Sequence, residues 1–235
     1  MGYSSDGMKK LLYSSSLILS SFSIILLFFY SFYTRVQYPY DLEWMEGGML
    51  IHAQRVMEGK QLYVEPSADF IPYIYPPLYS WLLAFCASVT ELDYWVGRSL
   101  SFLGTILAGA AIFRACRLEG SSKSIALVAT SFFFSTYEDG GTFFDLTRAD
   151  GLLMASLAWS LVWIRQGNIR LGGLSLCVAF LFKHNAAIFG FPCLWWLWRN
   201  RGRSPAISFV LWSAVPALFM IAWLQLQSNS LFLTY

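Results

Sequence analysis

Residues 11–33 form an unbroken run of 23 residues without a charged side chain, and Lys9 and Lys10 stand directly before it. A straight helix needs about 20 mostly apolar residues to cross the hydrocarbon core of a bilayer. The run is also longer than the apolar core of a cleaved signal peptide, which is roughly 7–15 residues. The sequence therefore predicts a first membrane span at 11–33 that remains in the protein as an anchor.

The rest of the chain has the composition of a protein that lies in lipid. Of its 235 residues, 57% are hydrophobic and 13% are charged, which is about half the charged fraction of soluble domains. Further stretches with few or no charges lie at 96–113, 124–137, 151–164, 171–182, 186–198 and 205–227. We therefore expect an all-α fold, a polytopic transmembrane helix bundle of about seven spans that forms one module over 1–235.

The distribution of charge indicates how these spans are oriented. With a cytoplasmic N-terminus, the short inside segments hold ten of the 16 basic residues, and twelve of the 14 acids fall outside. Such an excess of Lys and Arg marks the cytoplasmic side of membrane proteins. The ten are Lys9, Lys10, Arg114, Arg117, Lys123, Arg165, Arg170, Arg199, Arg201 and Arg203. The sequence predicts a multi-pass protein of the plasma or inner membrane.

This orientation requires that the apolar run 78–89 does not cross the bilayer. A run of about a dozen residues is more often interfacial or re-entrant than spanning, and Pro76-Pro77 before it provides a rigid helix start. A second helix is predicted at 43–58, where apolar residues recur at helical spacing beside charged ones, as in a helix that lies flat on a membrane. We expect residues 34–95 to form an extracytoplasmic loop with two juxtamembrane helices.

On this topology, ionisable residues at membrane level gather on the extracytoplasmic side. Charges at the apolar boundary are costly, so their first interpretation is a functional site that faces a cavity. A carboxylate can accept the proton of an acceptor hydroxyl, and Lys or Arg can stabilise a departing phosphate. The pattern favours group transfer from a phosphate-bearing lipid. The set consists of Asp41, Glu43, Glu46, Arg98, Asp145, Arg148, Asp150, Lys183, His184 and Asn185.

Other classes of function find no support in the sequence. No run of basic residues alternates with aromatic ones, so nucleic acid is not an expected partner. The four cysteines have no metal-ligand spacing and are interpreted as packing residues. Phosphate-binding glycine loops, nucleophile elbows and zinc-protease motifs are absent from the sequence. A transporter would show paired half-repeats, which we do not find.

The order of several short motifs resembles the GT-C membrane glycosyltransferases, and within them the protein mannosyltransferase and aminoarabinose transferase branch, known as glycosyltransferase family 39. The motifs are DLEWMEG at 41–47, YPPLY at 75–79, Arg98, TRAD at 147–150 and FKHN at 182–185. The resemblance implies transfer of a sugar from a polyprenyl-phosphate donor to a hydroxyl acceptor on the extracytoplasmic face. It leaves the metal undecided, because some members use a divalent cation and others do not.

The resemblance also implies roles for individual residues. Asp41 would be the catalytic acid of the first loop and Asp150 a second one, with Glu43 beside them. Arg98 and Lys183 would be cations on the phosphate side. The further substrate-binding candidates are Arg148, His184, Glu46 and Tyr75. Tyr75 stands where the aminoarabinose branch has a lysine, so we expect the donor chemistry to differ there.

Each of these residues has a structural alternative. Asp41 and Glu43 could be solvated loop acids, and Glu46 and His52 could lie on the exposed face of a surface helix. Arg98 and Lys183 could extend to lipid headgroups, and Arg148 and Asp150 could pair only with each other.

The function has an alternative too, a non-catalytic or split membrane subunit that binds a lipid carrier or a second membrane chain. It is motivated by length, because members of the resembled branch usually continue for several more helices.

Overall fold

The computed structural model describes residues 5–234, with side chains from Ser15 onward. The side chains of Lys9 and Lys10, which the predicted orientation uses, lie outside the described part. Within it the chain is helical and has no strand. The α-helices are α1 Ser5–Arg35, α2 Met45–Met57, α3 Leu78–Val89, α4 Tyr94–Leu118, α5 Lys123–Ser135, α6 Asp150–Arg165, α7 Ile169–Phe182, α8 Gly190–Arg201 and α9 Arg203–Gln227, with short 3-10 helices at His184–Phe189 and Phe232–Thr234.

The lengths of these helices bear on the number of membrane spans. Among the residues described, three helical segments are long and apolar enough to cross a bilayer, namely Ser15–Arg35, Tyr94–Leu118 and Arg203–Gln227. The helices α3, α5 and α7 are apolar but have only 12, 13 and 14 residues. The all-α fold is therefore confirmed, whereas the count of about seven spans stays a prediction.

Local sequence explains where the helices begin and end. The Asp93 carboxylate accepts a hydrogen bond of 2.6 Å from the Tyr94 N–H at the start of α4. The Ser122 hydroxyl accepts from the Ile125 N–H and starts α5. Both are N-cap contacts that satisfy free backbone donors of a first turn. Gly202, with a φ of +89°, lets the chain reverse between α8 and α9.

The helices place opposite charges at the two ends of the bundle. At one end, the C-termini of α4, α6 and α8 meet, because Arg165 bonds Glu119 at 2.7 Å and Arg201 donates to the Arg165 carbonyl at 3.1 Å. We call this the basic end. The acidic end holds the start of α6 and the end of α7, where Asp150 meets Lys183.

Helix α3 lies wholly at the acidic end. The Tyr79 hydroxyl in its first turn donates to the Gly97 carbonyl of α4 at 3.1 Å. The last residue of α3, Val89, comes only five positions before α4 begins at Tyr94. Both ends of α3 therefore sit near the first turns of α4. Helix α2 packs against it through Met45, Met49 and Ala53.

Helices α4 and α6 approach each other so closely that only small residues fit between them. A Cβ atom added at Gly104 would lie 2.5 Å from the backbone carbonyl carbon of Gly151, and one at Gly151 would lie 2.2 Å from the Ser101 carbonyl oxygen. Small residues at such contacts let helix backbones pack directly in membranes. This contact fixes the start of α6, and with it Arg148 and Asp150, against α4.

A side chain at Gly104 should therefore push α6 away from α4. We expect Gly104→Val to lower the free energy of unfolding by about 1–3 kcal/mol, the usual cost of overpacking. The control is Leu103→Val on the adjacent position, whose side chain is exposed. Thermal unfolding in detergent would measure both. Equal unfolding temperatures for the two variants would contradict the close α4–α6 contact.

Candidate active site at the acidic end

Arg98 lies at the centre of the acidic end and is fully buried. Its Nε and one Nη2 hydrogen bind the two carboxylate oxygens of Glu46, at 3.0 and 2.8 Å. The other three N–H groups donate to the carbonyls of Arg35, Tyr38 and Tyr40, at 3.0, 2.5 and 2.7 Å. An arginine has five N–H donors, so none is left for a substrate.

The carboxylate of Glu46 is also fully hydrogen-bonded. Besides Arg98, its carboxylate accepts from the backbone N–H groups of Thr147 at 2.8 Å and Leu42 at 2.7 Å. Burial by itself raises the pKa of Glu46, but the bonds from Arg98 and the two backbone groups outweigh it, and the pKa lies below its ordinary value. The alternative in which Glu46 lies on the exposed face of a surface helix is therefore wrong, because its side chain is buried. The contacts favour a positioning role for Arg98 and Glu46, and their predicted contact with substrate stays a prediction.

Four side chains of alternating charge form a second network, which we call the charge ladder. It runs from Glu43 to Arg148 at 2.9 Å, from Arg148 to Asp150 at 3.0 Å, and from Asp150 to Lys183 at 2.9 Å. These residues come from the loop before α2, the loop before α6, the first residue of α6 and the end of α7. Asp150 thus holds two cations that the sequence places 35 residues apart. The alternative in which Arg148 and Asp150 pair only with each other does not apply.

Asp41 is the acid that differs from the others. Its side chain is exposed, and its Oδ1 accepts a hydrogen bond of 2.8 Å from the Gly47 N–H. The Tyr94 hydroxyl lies beside the same carboxylate. Glu43, Glu46, Asp145 and Asp150 each face an Arg or Lys, but no salt bridge involves Asp41 in the part of the chain that the structure describes. An accessible carboxylate without a cation remains free to accept a proton.

The chain matches the model of glycosyltransferase family 87 over residues 73–233. The chain belongs to glycosyltransferase family 87. No curated protein and no solved structure matches it. The family identifies this protein as a membrane glycosyltransferase and gives no support to the more specific resemblance to the protein mannosyltransferase and aminoarabinose transferase branch.

The family 87 match includes only some of the candidate residues. It covers Arg98, Arg148, Asp150 and Lys183. Asp41, Glu43 and Glu46 precede residue 73, where the match begins. The geometry nonetheless joins the two sets, because Glu43 contacts Arg148 and Glu46 contacts Arg98.

Two further candidate residues, Tyr75 and His184, lie near Lys183 at the end of the charge ladder. The Lys183 ammonium sits 5.1 Å from the centre of the Tyr75 ring, at a distance typical of a cation–π contact. Tyr75 thus flanks the cation without adding a charge. His184 begins the 3-10 helix directly after Lys183 and is exposed. Both remain predictions as substrate-binding residues.

Sequence reasoning missed that His52 is buried. Its ring stacks on Tyr73 at 4.4 Å between centres, and its Nε2 accepts a bond of 3.0 Å from the Tyr73 N–H. The Nδ1 therefore carries the hydrogen and donates to the Gly48 carbonyl at 2.7 Å. Burial lowers the pKa of His52 below its ordinary value. His52 therefore links α2 to the segment before α3 through its hydrogen bond with Tyr73.

Asp145, one of the ionisable residues that the sequence places at membrane level, is buried too. It pairs with Arg35 at 3.7 Å and accepts from the Tyr137 hydroxyl at 2.9 Å, while burial raises its pKa. The sequence already placed Asp145 in the candidate set, three residues before Arg148 in the same loop. His52 gave no such signal beyond its place on α2.

The acids of this family 87 chain do not fit a metal centre. No three His, Cys, Asp or Glu side chains converge on a common point among the described residues. Both oxygens of Asp150 already bind cations, and those of Glu46 accept four hydrogen bonds. A divalent cation stays a prediction from the resemblance alone.

The Arg98–Glu46 pair gives a direct test of this arrangement. Arg98→Met leaves the buried Glu46 carboxylate without its cation, which should cost about 3–5 kcal/mol of stability. The double variant Arg98→Met, Glu46→Met removes both charges and should recover much of the loss. Chemical denaturation in detergent measures both proteins, with Lys60→Met as an exposed control. A double variant no more stable than Arg98→Met would refute this explanation.

Proposed function

We propose that this chain transfers a sugar from a polyprenyl-phosphate donor to a hydroxyl acceptor, as a GT-C type enzyme that acts at the acidic end. The observation that supports it most is the exposed, unpaired carboxylate of Asp41 on the same end as the charge ladder. One group can accept a proton there and others can stabilise a phosphate. Both are needed to move a sugar from a phosphate to an oxygen.

In the proposed reaction, Asp41 accepts the proton of the acceptor hydroxyl while the hydroxyl oxygen forms a bond to the anomeric carbon of the donor sugar. The bond between that carbon and the phosphate oxygen breaks, and the electron pair leaves with the phosphate. The products are the glycoside, the polyprenyl phosphate and a protonated Asp41, which returns its proton to solvent. Charge and atoms therefore balance without an additional reactant.

The cation for the departing phosphate is supplied by Lys183. Its ammonium has three N–H donors, and Asp150 accepts one of them at 2.9 Å. The bond to Asp150 fixes the direction of the side chain and leaves donors for phosphate oxygens. Arg148, held between Glu43 and Asp150, adds positive charge next to it. His184, exposed at the following position, is placed to add a hydrogen bond.

Asp41 provides the sharpest test. We expect Asp41→Asn to reduce sugar transfer from a polyprenyl-phosphate donor by about 10²–10⁴-fold, the usual contribution of a general base, with an unchanged unfolding temperature. Asp69→Asn, another exposed loop acid, is the matched control. Transfer would be measured with a radiolabelled donor in membranes. Full activity of Asp41→Asn would refute its role.

The same assay distinguishes the alternative function. A non-catalytic subunit predicts that the purified wild-type chain is inactive and that a second polytopic chain co-purifies with it. An active wild-type chain excludes that alternative, whatever the effect of Asp41→Asn.

We also propose that the acidic end is extracytoplasmic, with the N-terminus in the cytoplasm and about seven crossings. The charge separation between the two ends supports this orientation. In a cysteine-free background, we expect Asp69→Cys to react with a membrane-impermeant maleimide added to intact cells. Lys123→Cys, at the start of α5 on the basic end, should react only after the membrane is opened. The reverse pattern would invert the topology and refute the proposed face.

A further inference from the structure

The basic end contains an open cavity of about 320 Å³ that no step of the proposed reaction uses. It lies between the turn from α6 to α7 and the first turns of α9. Its lining is mainly polar and includes Asn168, Arg170, Ser204 and Ser208. Two hydroxyls, an amide and a guanidinium thus face one cavity, and all four can donate hydrogen bonds.

The rim of this cavity adds further positive charge. A guanidinium nitrogen of Arg201 lies 3.0 Å from where a Cβ atom of Gly167 would stand, and Gly167 lines the cavity. Arg203 directly precedes the lining residue Ser204. At this end Glu119 is the one acid among the side chains that the structure describes, and it pairs with Arg165. Arg170, Arg201 and Arg203 are exposed and lack a carboxylate partner in that part of the chain.

Each of these arginines lies beside a tryptophan ring. The distances from the guanidinium carbon to the ring centre are 5.9 Å for Arg170 and Trp212, 5.8 Å for Arg201 and Trp196, and 5.4 Å for Arg203 and Trp198. Tryptophan is enriched at the level of lipid headgroups, because one side of its ring is apolar and its N–H is polar. The pairs therefore hold the positive charge at headgroup depth.

We propose that this cavity binds the phosphate-bearing headgroup of an anionic phospholipid. The chemistry of donors and unpaired cations fits a phosphate, and basic pockets between membrane helices bind such headgroups. A lipid is favoured over free phosphate because exposed apolar residues continue from the cavity along the same helices. Leu171 on α7 and Ile207 and Leu211 on α9 are 39%, 55% and 53% exposed and offer a surface for acyl chains.

This inference is independent of the proposed function, because the cavity and the charge ladder lie at opposite ends of the bundle. The test uses the full chain purified in a neutral detergent. Phosphatidylglycerol, phosphatidylcholine or inorganic phosphate is added, and bound lipid is counted by native mass spectrometry. Phosphatidylglycerol should bind and raise the unfolding temperature, whereas the zwitterionic lipid and free phosphate should do neither.

The variant Arg170→Gln, Arg203→Gln should weaken phosphatidylglycerol binding roughly 30-fold, since each basic residue near a lipid surface contributes roughly fivefold. Arg170→Lys, Arg203→Lys keeps the charge and should retain most of the binding. Arg117→Gln, an exposed arginine of the basic end outside the cavity lining, is the matched control. Circular dichroism checks that each variant is folded.

Three results would overturn the proposal. The first is unchanged lipid binding in the glutamine double variant. The second is an equal loss in Arg117→Gln, which would indicate a general effect of surface charge. The third is stabilisation by inorganic phosphate equal to that by phosphatidylglycerol, which would make the cavity a site for a free anion.

Discussion

The buried ion pair between Arg98 and Glu46 is the interaction on which the acidic end depends. Its members use every hydrogen-bonding group they have, and their backbone partners lie in two stretches of the chain, residues 35–42 and the loop that contains Thr147. A buried pair is tolerable only when geometry and additional hydrogen bonds offset the loss of water. The carbonyls of Tyr38 and Tyr40 and the N–H of Leu42 belong to the segment that contains Asp41. The pair therefore decides where the free carboxylate of the site stands.

The second network has a different character, because its charges are only partly buried. Glu43, Arg148, Asp150 and Lys183 neutralise one another in sequence along a line. In the proposed reaction, the departing phosphate would meet a Lys183 ammonium whose position is already fixed by Asp150, which reduces the reorganisation needed on binding. Asp41 stays outside both networks. The acidic end thus contains both carboxylates that are bound to cations and one exposed carboxylate, Asp41, that has no salt bridge in the part of the chain that the structure describes.

The two ends of the bundle differ in how their charges are paired. At the acidic end, charges are paired around a site, and extra helices α2 and α3 cover it. At the basic end, arginines face outward beside tryptophan rings. This asymmetry follows from the directions in which the helices run. The helix ends that bear Arg165 and Arg201 meet at the basic end. The helix ends that bear Asp150 and Lys183 meet at the acidic end.

The sequence by itself determined that the chain is helical and apolar, that 43–58 and 78–89 contain helices, and that the ionisable residues at membrane level gather at one end. These features follow from local periodicity and from the cost of burying charge. Only the tertiary structure decided the role of each charge. Arg98 and Lys183 looked alike in the sequence, as single cations next to apolar segments. Packing surrounded Arg98 with five acceptors and left Lys183 one, because burial depends on contacts between segments that no local pattern encodes.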